Sequence, residues 1–204
     1  MSLHTIDLLP EGRRRLAAAP SGGRAPDAFL TLIDPDFKNK ATLDSGAGPE
    51  QVAATFPDLV VIKGSTEDQL AKSFAQIGIP AMYLGLEPPG LFYQDVANLG
   101  VVLGSEARAK EITTYYLDRL SRIREQTASA GGQPKPWVLT IQHSSRGSQV
   151  SFSVPPSTWF QTIQAETAGG DPAWLETGAG STGWVMVNFE PISRWDPDMI
   201  FVIS

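Results

Sequence analysis

From Gly104 to Ala128 the chain carries no proline, and no glycine after the first residue, which leaves a helix as the only regular structure that suits the whole run. Ser105 stands where an N-cap belongs, and Glu106 puts negative charge in the first turn, where the helix dipole favours it. Ile112, Tyr116, Leu120 and Ile123 then recur at intervals of 4, 4 and 3, which draws one apolar stripe along the helix. At about 1.5 Å per residue the run spans roughly 35 Å, the width of a small domain. Gly131, Gly132, Pro134 and Pro136 end it. The pattern predicts a rigid helical strut over residues 104–130, between an N-terminal segment 1–103 and a C-terminal segment 131–204.

Both flanks read as α/β. On the N-terminal side, Thr5 to Leu9 suggests a short strand, and the arginines at 13–15 with Pro20, Gly22, Gly23 and Pro26 suggest loop. Ala28 to Ile33 predicts a short helix stopped at Asp34-Pro35, and Pro49 to Phe56 a helix with proline in its first turn. Leu59 to Ile62 and Ile79 to Leu84 have the length and apolarity of buried strands, with a helix from Glu67 to Ile77 between them. Phe92 to Leu103 reads as a short helical or irregular lead-in to the strut. On the C-terminal side, Trp137 to Ile141 is strand-like, and Gln149 to Val154 alternates with period two, as a half-exposed hairpin arm does. Ser157 to Ala168 predicts a helix capped by Ser157, and Val187 to Trp195 another. Met199 to Ile203 has the pattern of a buried strand. Helices alternating with short apolar strands predict parallel α/β layers.

Bulk properties close off several functions. The chain has 204 residues, 16 basic against 22 acidic, and a net charge of −6, which argues against a general nucleic-acid surface. It has no cysteine, so disulfides, thiolate metal sites and cysteine nucleophiles are ruled out together. Its two histidines cannot build a multi-histidine zinc site, and no Gly-x-Ser-x-Gly elbow is present to carry a serine triad. Gly178 to Gly183 matches neither a phosphate-binding P-loop nor a strand-following dinucleotide fingerprint. No apolar run reaches the roughly 20 residues needed to cross a bilayer. The Met-Ser-Leu-His-Thr start lacks a signal peptide's basic and apolar segments, so an exported protein would have lost its leader here.

One segment echoes another. Glu50-Gln-Val-Ala-Ala-Thr-Phe-Pro-Asp leads into Leu59-Val-Val-Ile, and Glu190-Pro-Ile-Ser-Arg-Trp-Asp-Pro-Asp leads into Met199-Ile-Phe-Val. In each, Glu lies seven residues before a Pro-Asp pair that opens an apolar strand. The unit is a short helix packed on a sheet, a Pro-Asp turn, and a strand. Such connectors also recur by chance. With one copy on each side of the strut, two similar lobes joined by a helix account for them better.

These pieces resemble the substrate-binding proteins of ABC importers for iron–siderophore, haem and cobalamin. The resemblance rests on Pro57 to Gly64, Leu70 to Leu84 with Ile77-Gly-Ile-Pro-Ala-Met-Tyr-Leu, Leu99-Gly and Leu103-Gly ahead of the long helix, Trp137 to Ile141, Ala168-Gly-Gly, and Trp195 to Val202. It runs through residues 45–204 and implies two small α/β lobes with mainly parallel sheets, joined by one long rigid helix, with ligand held in a cleft between them. Family members usually continue past the Pro-Asp strand. The resemblance therefore implies a second lobe that is incomplete in this sequence, through truncation or divergence, or one finished by another subunit as a homodimer. The implied location is periplasmic, or extracytoplasmic and membrane-anchored.

By motif position, the resemblance makes Glu50 and Glu190 the acidic residues that dock on basic residues of the permease. Each is equally well explained as an early-helix glutamate favoured by the dipole. Loops at strand ends suggest ligand contacts from Lys63, Ser65 and Tyr83 in the first lobe and from His143, Arg146 and Trp184 in the second. Arg146 and Lys63 suit anionic groups, Tyr83 and Trp184 suit stacking on a flat macrocycle or catecholate, and His143 or Tyr83 suits haem iron. The implied ligand is a ferric siderophore, haem or cobalamin, with no intrinsic cofactor, no resident metal, no catalytic residue and no nucleic acid. Two other readings stay open: a chelatase-like tetrapyrrole or metal enzyme using His143, and an interaction domain that has lost its ligand.

Overall fold

The structure is a computed structural model and describes residues 2–20, 27–44, 46–64, 67–129, 134–146, 149–177 and 183–203. The chain divides into two compact units, residues 1–86 with 90–113, and residues 87–89 with 114–204. The division falls inside the long helix, so its first turns belong to unit 1 and the rest to unit 2. Both units are α/β.

Unit 1 begins with helices α1 (Ser2–Asp7) and α2 (Pro10–Arg15), where the sequence suggested a strand and loop. Pro10 sits in the first turn of α2, where its missing N–H costs nothing. Strand β1 (Ala18–Pro20) pairs in parallel with β2 (Ala41–Leu43), with α3 (Asp27–Ile33) and a 3₁₀ turn at Phe37–Asn39 between them. Helix α4 (Pro49–Ala53) leads into β3 (Val60–Lys63), and α5 (Glu67–Gln76) crosses over to β4 (Ala81–Leu84). β3 and β4 pair in parallel, with Ile62 opposite Tyr83. Val52, Ile62 and Phe74 form the core beneath them.

After β4 the chain turns sharply. Leu86 is fully buried with a left-handed backbone (φ 55°). The buried Asp95 stabilises this turn, its Oδ2 accepting the Gly85 and Leu86 amides at 2.7 and 3.0 Å. Asp95 lies on α6 (Pro89–Leu103), which is a full helix rather than an irregular lead-in. Gly104, at φ 66°, ends α6 in the left-handed conformation that glycine adopts without strain. The Ser105 carbonyl then accepts the first hydrogen bond of α7 (Glu106–Ser129), from Ala109 at 2.9 Å.

Helix α7 is continuous, as its sequence predicts, but the stripe on it is not a core stripe. Ile112 is buried, Leu120 is half-buried, and Tyr116 and Ile123 are exposed. Apolar periodicity reports which residues share a face and says nothing of what covers that face. Near its end, the Thr127 hydroxyl lies 2.8 Å from the Ile123 carbonyl and 3.1 Å from that of Thr167, holding the last turn on unit 2.

Unit 2 is built on β5 (Trp137–Arg146). It pairs in parallel with β7 (Asp171–Pro172) and β9 (Met199–Ile203), and antiparallel with β6 (Gln149–Val154), which pairs antiparallel with β8 (Val185–Val187). The sheet is therefore mixed, and the hairpin arm read from the alternation at 149–154 is present. Helix α8 (Phe160–Thr167) starts three residues later than expected, with Trp159 rather than Ser157 at its N-cap. Ser157 and Thr158 instead form a turn after Pro155-Pro156, with the Trp159 amide donating to the Pro156 carbonyl at 3.2 Å. Helix α9 (Phe189–Trp195) and a 3₁₀ turn at Ala173–Thr177 cover the sheet, burying Leu139, Ile141, Val154, Trp174, Ile192 and Trp195 together.

Strand β9 corrects one expectation. It forms where predicted but is not buried: Met199, Ile200, Phe201 and Val202 are 44–61% exposed. These residues alternate between the two faces, so both faces lack cover, and among the described residues only β5 pairs with it. The apolar pattern of an interior strand is there without the layers that usually bury one.

Two measurements probe unit 1. A Cβ on Gly100 would lie 2.6 Å from the Ala109 Cβ, where α6 and α7 pack. Gly100→Ala is expected to cost about 1–3 kcal/mol through overpacking, read as a lower melting temperature. Asp7 is 6% exposed and neither of its carboxylate oxygens is hydrogen-bonded. Burial above all, and then the neighbouring Asp34, raise its pKa, against the opposing pull of His4, Arg13 and Lys40. A carboxyl with a raised folded-state pKa favours folding while protonated, and this contribution is lost as pH climbs from the unfolded value near 4 through the folded one. Asp7→Asn should therefore melt higher than the parent at neutral pH, and the gain should shrink as pH falls toward 4.

Candidate functional site

The repeated connector recurs in both units, although α4 ends at Ala53 and α9 runs on to Trp195. Glu50 is the second residue of α4, and Glu190 the second of α9. Two residues on, Val52 and Ile192 enter the cores of their respective units. Four further on, Phe56 and Asp196 are both left-handed, at φ 51° and 44°. Pro57 and Pro197 follow, and β3 begins at Val60 and β9 at Met199. A left-handed residue followed by proline stops a helix and turns the chain, so each strand lies parallel to its neighbour. Asp198 fastens the second copy: its Oδ2 accepts the Trp137 amide at 2.7 Å, and its own amide donates to the Trp137 carbonyl at 2.8 Å.

Geometry leaves both glutamates in solvent. Glu190 faces Arg194 across one turn at 3.2 Å, an exposed pair worth little to stability. Glu50 has no ion-pair partner among the described residues. Each carboxylate therefore stands at an exposed helix start, available to a partner's cations.

The other sequence-predicted residues are spread through the two units. In unit 1, Lys63 ends β3 and is half-buried, while Tyr83, one register step away, packs against the Val52–Ile62–Phe74 core. The Tyr83 hydroxyl is buried without a hydrogen bond. Ser65 lies outside the described residues. In unit 2, His143 sits on β5 opposite Phe152, with ring centroids 6.0 Å apart, and Arg146 ends the same strand. Trp184 immediately precedes β8.

Trp184 has a neighbour that sequence reasoning passed over. Val154 is opposite Val185 in the β6–β8 ladder, so this antiparallel register brings Pro155 beside Trp184. The chain then turns through Pro155-Pro156, both fully buried. Trp174 Nε1 donates to the Pro155 carbonyl at 2.7 Å, and the Thr162 hydroxyl donates to that of Pro156 at 2.8 Å. The Trp159 amide also reaches the Pro156 carbonyl, at 3.2 Å, and the Phe160 amide donates to the Glu87 carbonyl at 3.1 Å. So braced, Trp159 meets Trp184 edge to face, with centroids 5.9 Å apart and planes at 87°. Both rings are half-buried. Placing Trp159 inside a helix hid this; the Pro-Pro pair before it was the available signal of a later helix start.

Residues 33–204 match the periplasmic binding protein family. The chain belongs to that family. Solved members share its fold. A periplasmic haem-binding protein from Pseudomonas aeruginosa aligns with TM-score 0.75 at 20% identity, over 98% of this chain and 68% of its own. The TroA-like periplasmic binding protein FepB from Veillonella parvula gives 0.71 at 20% identity, over 98% of this chain and 60% of its own. Staphylococcus aureus IsdE, solved with haem, gives 0.69 at 18% identity, over 99% and 70%. This periplasmic binding protein sequence thus spans between 60% and 70% of these relatives' lengths. No curated protein sequence matches it. The family and these relatives are binding proteins rather than enzymes, which sets aside the chelatase-like reading. In the haem-binding relatives the tetrapyrrole is bound ligand, not a cofactor of catalysis. Among the described residues, no helix is long and apolar enough to cross a membrane.

Thr162 offers a direct test of the braced turn. It is fully buried, and Thr162→Val would leave the Pro156 carbonyl without this donor. The expected loss is about 1–3 kcal/mol in denaturant unfolding, with a shift in tryptophan emission.

Proposed function

We propose that this chain is the extracytoplasmic substrate-binding component of an ABC importer, capturing a metal chelate and delivering it to a membrane permease. The observation that carries this reading is the family match over residues 33–204. The haem-binding relatives support a ferric siderophore, haem or cobalamin as the class of cargo. Lys63, Ser65, Tyr83, His143, Arg146 and Trp184 are the proposed ligand contacts. Among them Tyr83 is the most deeply engaged in core packing, which suits a role in shaping the site more than one at its surface. Nothing observed favours a homodimer.

Permease docking is assigned to Glu50 and Glu190. Supporting this is their equivalence: each is the second residue of a short helix, followed by the same left-handed Pro-Asp turn and exposed to solvent. Carboxylates presented this way attract basic surfaces over a Debye length and set orientation more than affinity.

Two measurements test the proposal. Thermal-shift screening against ferric siderophores, haem and cobalamin should show stabilisation of several degrees by one class and not the others. The double variant Glu50→Ala/Glu190→Ala should keep that ligand response and its melting temperature, while losing roughly tenfold or more in affinity for the reconstituted permease. Unchanged permease affinity would remove the docking role.

A further inference from the structure

Where α1 and α2 pack on the rest of unit 1, ionisable side chains are drawn into the interior. Asp34, just past α3, faces Lys40 at 3.1 Å, and both side chains are nearly covered. Lys40 Nζ also donates to the Arg13 carbonyl, and the Arg13 guanidinium donates to the Ile33 carbonyl at 2.8 Å. The Asp36 amide donates to Asp34 Oδ1 at 3.2 Å. This network fastens α2 to the end of α3 and to the approach to β2. Asp7, the last residue of α1, is as deeply buried as Asp34, yet neither of its oxygens is hydrogen-bonded. The charged groups set around it are His4 on its own helix, Arg13 on α2, Asp34 and Lys40. Of the others on neighbouring elements, Glu11 pairs with Arg14 and Arg15, and Lys63 ends β3. Arg108 of α7 pairs with Glu111 and reaches the Leu8 carbonyl at 3.4 Å.

Helices α1 and α2 have six residues each, too few to hold helical shape alone, so their order depends on packing. Thr5, Ile6 and Leu9 are buried, and a Cβ on Gly12 would collide with the Ile6 carbonyl, so the two helices meet closely. Residues 2–15 add no strand to a sheet, and their opening breaks no ladder. Closing them puts Asp7 where a carboxylate has no donor and a second carboxylate nearby. A neutral carboxyl costs far less to bury there. In the open segment Asp7 is hydrated and ionises near its ordinary value. The closed form therefore holds the proton more tightly, the direction in which burial and Asp34 move the Asp7 pKa. Opening then grows as pH climbs from about 4 to the closed-state pKa, by at most about tenfold per unit, and is level above it. We propose that Asp7 makes the α1–α2 pair a proton-dependent latch: protonated, it lets residues 2–15 close on unit 1, and ionised, it loosens them while the rest of the unit stays folded. Asp34 and Lys40, matched to each other, form the fixed seat. The latch goes beyond the binding-protein reading and depends on neither that reading nor the cargo.

The test is hydrogen exchange by mass spectrometry on the full chain between about pH 5 and pH 8, expressed as protection factors so that the intrinsic pH dependence of exchange is removed. Amides of residues 2–15 should lose protection as pH rises, by up to about tenfold per unit, while those of β3 and β4 keep theirs. In Asp7→Asn the same amides should stay protected throughout. His4→Gln should keep the parent's fall, which separates the carboxyl from a histidine titrating in the same range. Should Asp7→Asn melt below the parent at every pH, the parent alone decides: the Asp7 carboxyl carbon, followed by NMR, should titrate with a midpoint above about 4. A midpoint at or below that value would overturn the latch. So would protection of residues 2–15 that is level with pH, that falls equally in β3 and β4, that falls alike in Asp7→Asn, or that ceases to fall in His4→Gln.

Discussion

Parallel strands cannot be joined by a hairpin; each requires a crossing segment that covers the sheet and returns the chain in the same direction. Here the segment between helix and strand passes, in both units, through a left-handed residue followed by Pro-Asp. Phe56 and Asp196 adopt a conformation that non-glycine residues populate at a cost of order 1–3 kcal/mol. That both units keep it indicates that the turn is over-determined by what surrounds it. Proline blocks helix continuation, the apolar residue two positions after Glu is buried in the core, and the strand is drawn into register by its neighbour. The placement of both glutamates follows from this geometry, since the second residue of each helix faces solvent once the fourth is buried.

The turn after β4 is controlled differently. There the left-handed residue is Leu86, fully buried, and a side chain from the next helix does the work: Asp95 accepts two successive amides that have no partner in the sheet. The buried Leu86 amide, left open, would cost about 1–3 kcal/mol. Gly100 and Gly104 then allow α6 and α7 to meet at a distance that a methyl group would prevent and to turn without strain. The long helix thus starts from a corner defined by backbone and small side chains, which is why Ala109 and Ile112, early in α7, are its buried residues.

Much of the architecture was legible in the residues themselves. The 104–128 run had no breaker, the echo of Glu50 and Glu190 predicted matching connectors, and alternation at 149–154 predicted the hairpin arm. Three expectations differ from the structure. Thr5 to Leu9 suggests a strand on five residues, too few to separate one period from another, and is part of two short helices' packing instead. Ser157 has the chemistry of a cap but lies in a turn after Pro155-Pro156, so the helix starts later. Met199 to Ile203 has the apolar pattern of a buried strand, yet burial depends on neighbours that a local pattern does not contain. The meeting of Trp159 with Trp184 depends on the β6–β8 register and the hydrogen bonds of the proline turn, which no local pattern holds.

What the sequence determined by itself was whatever depends on backbone chemistry over a few residues: where helices can run, where Pro-Asp and Gly stop them, and that the two connectors match. Only the tertiary structure decided which apolar faces are covered, that Tyr83 packs against a core, and that Trp159 and Trp184 meet. Those outcomes depend on residues far apart in the chain being brought together, and no local periodicity records which surface a given stripe will meet.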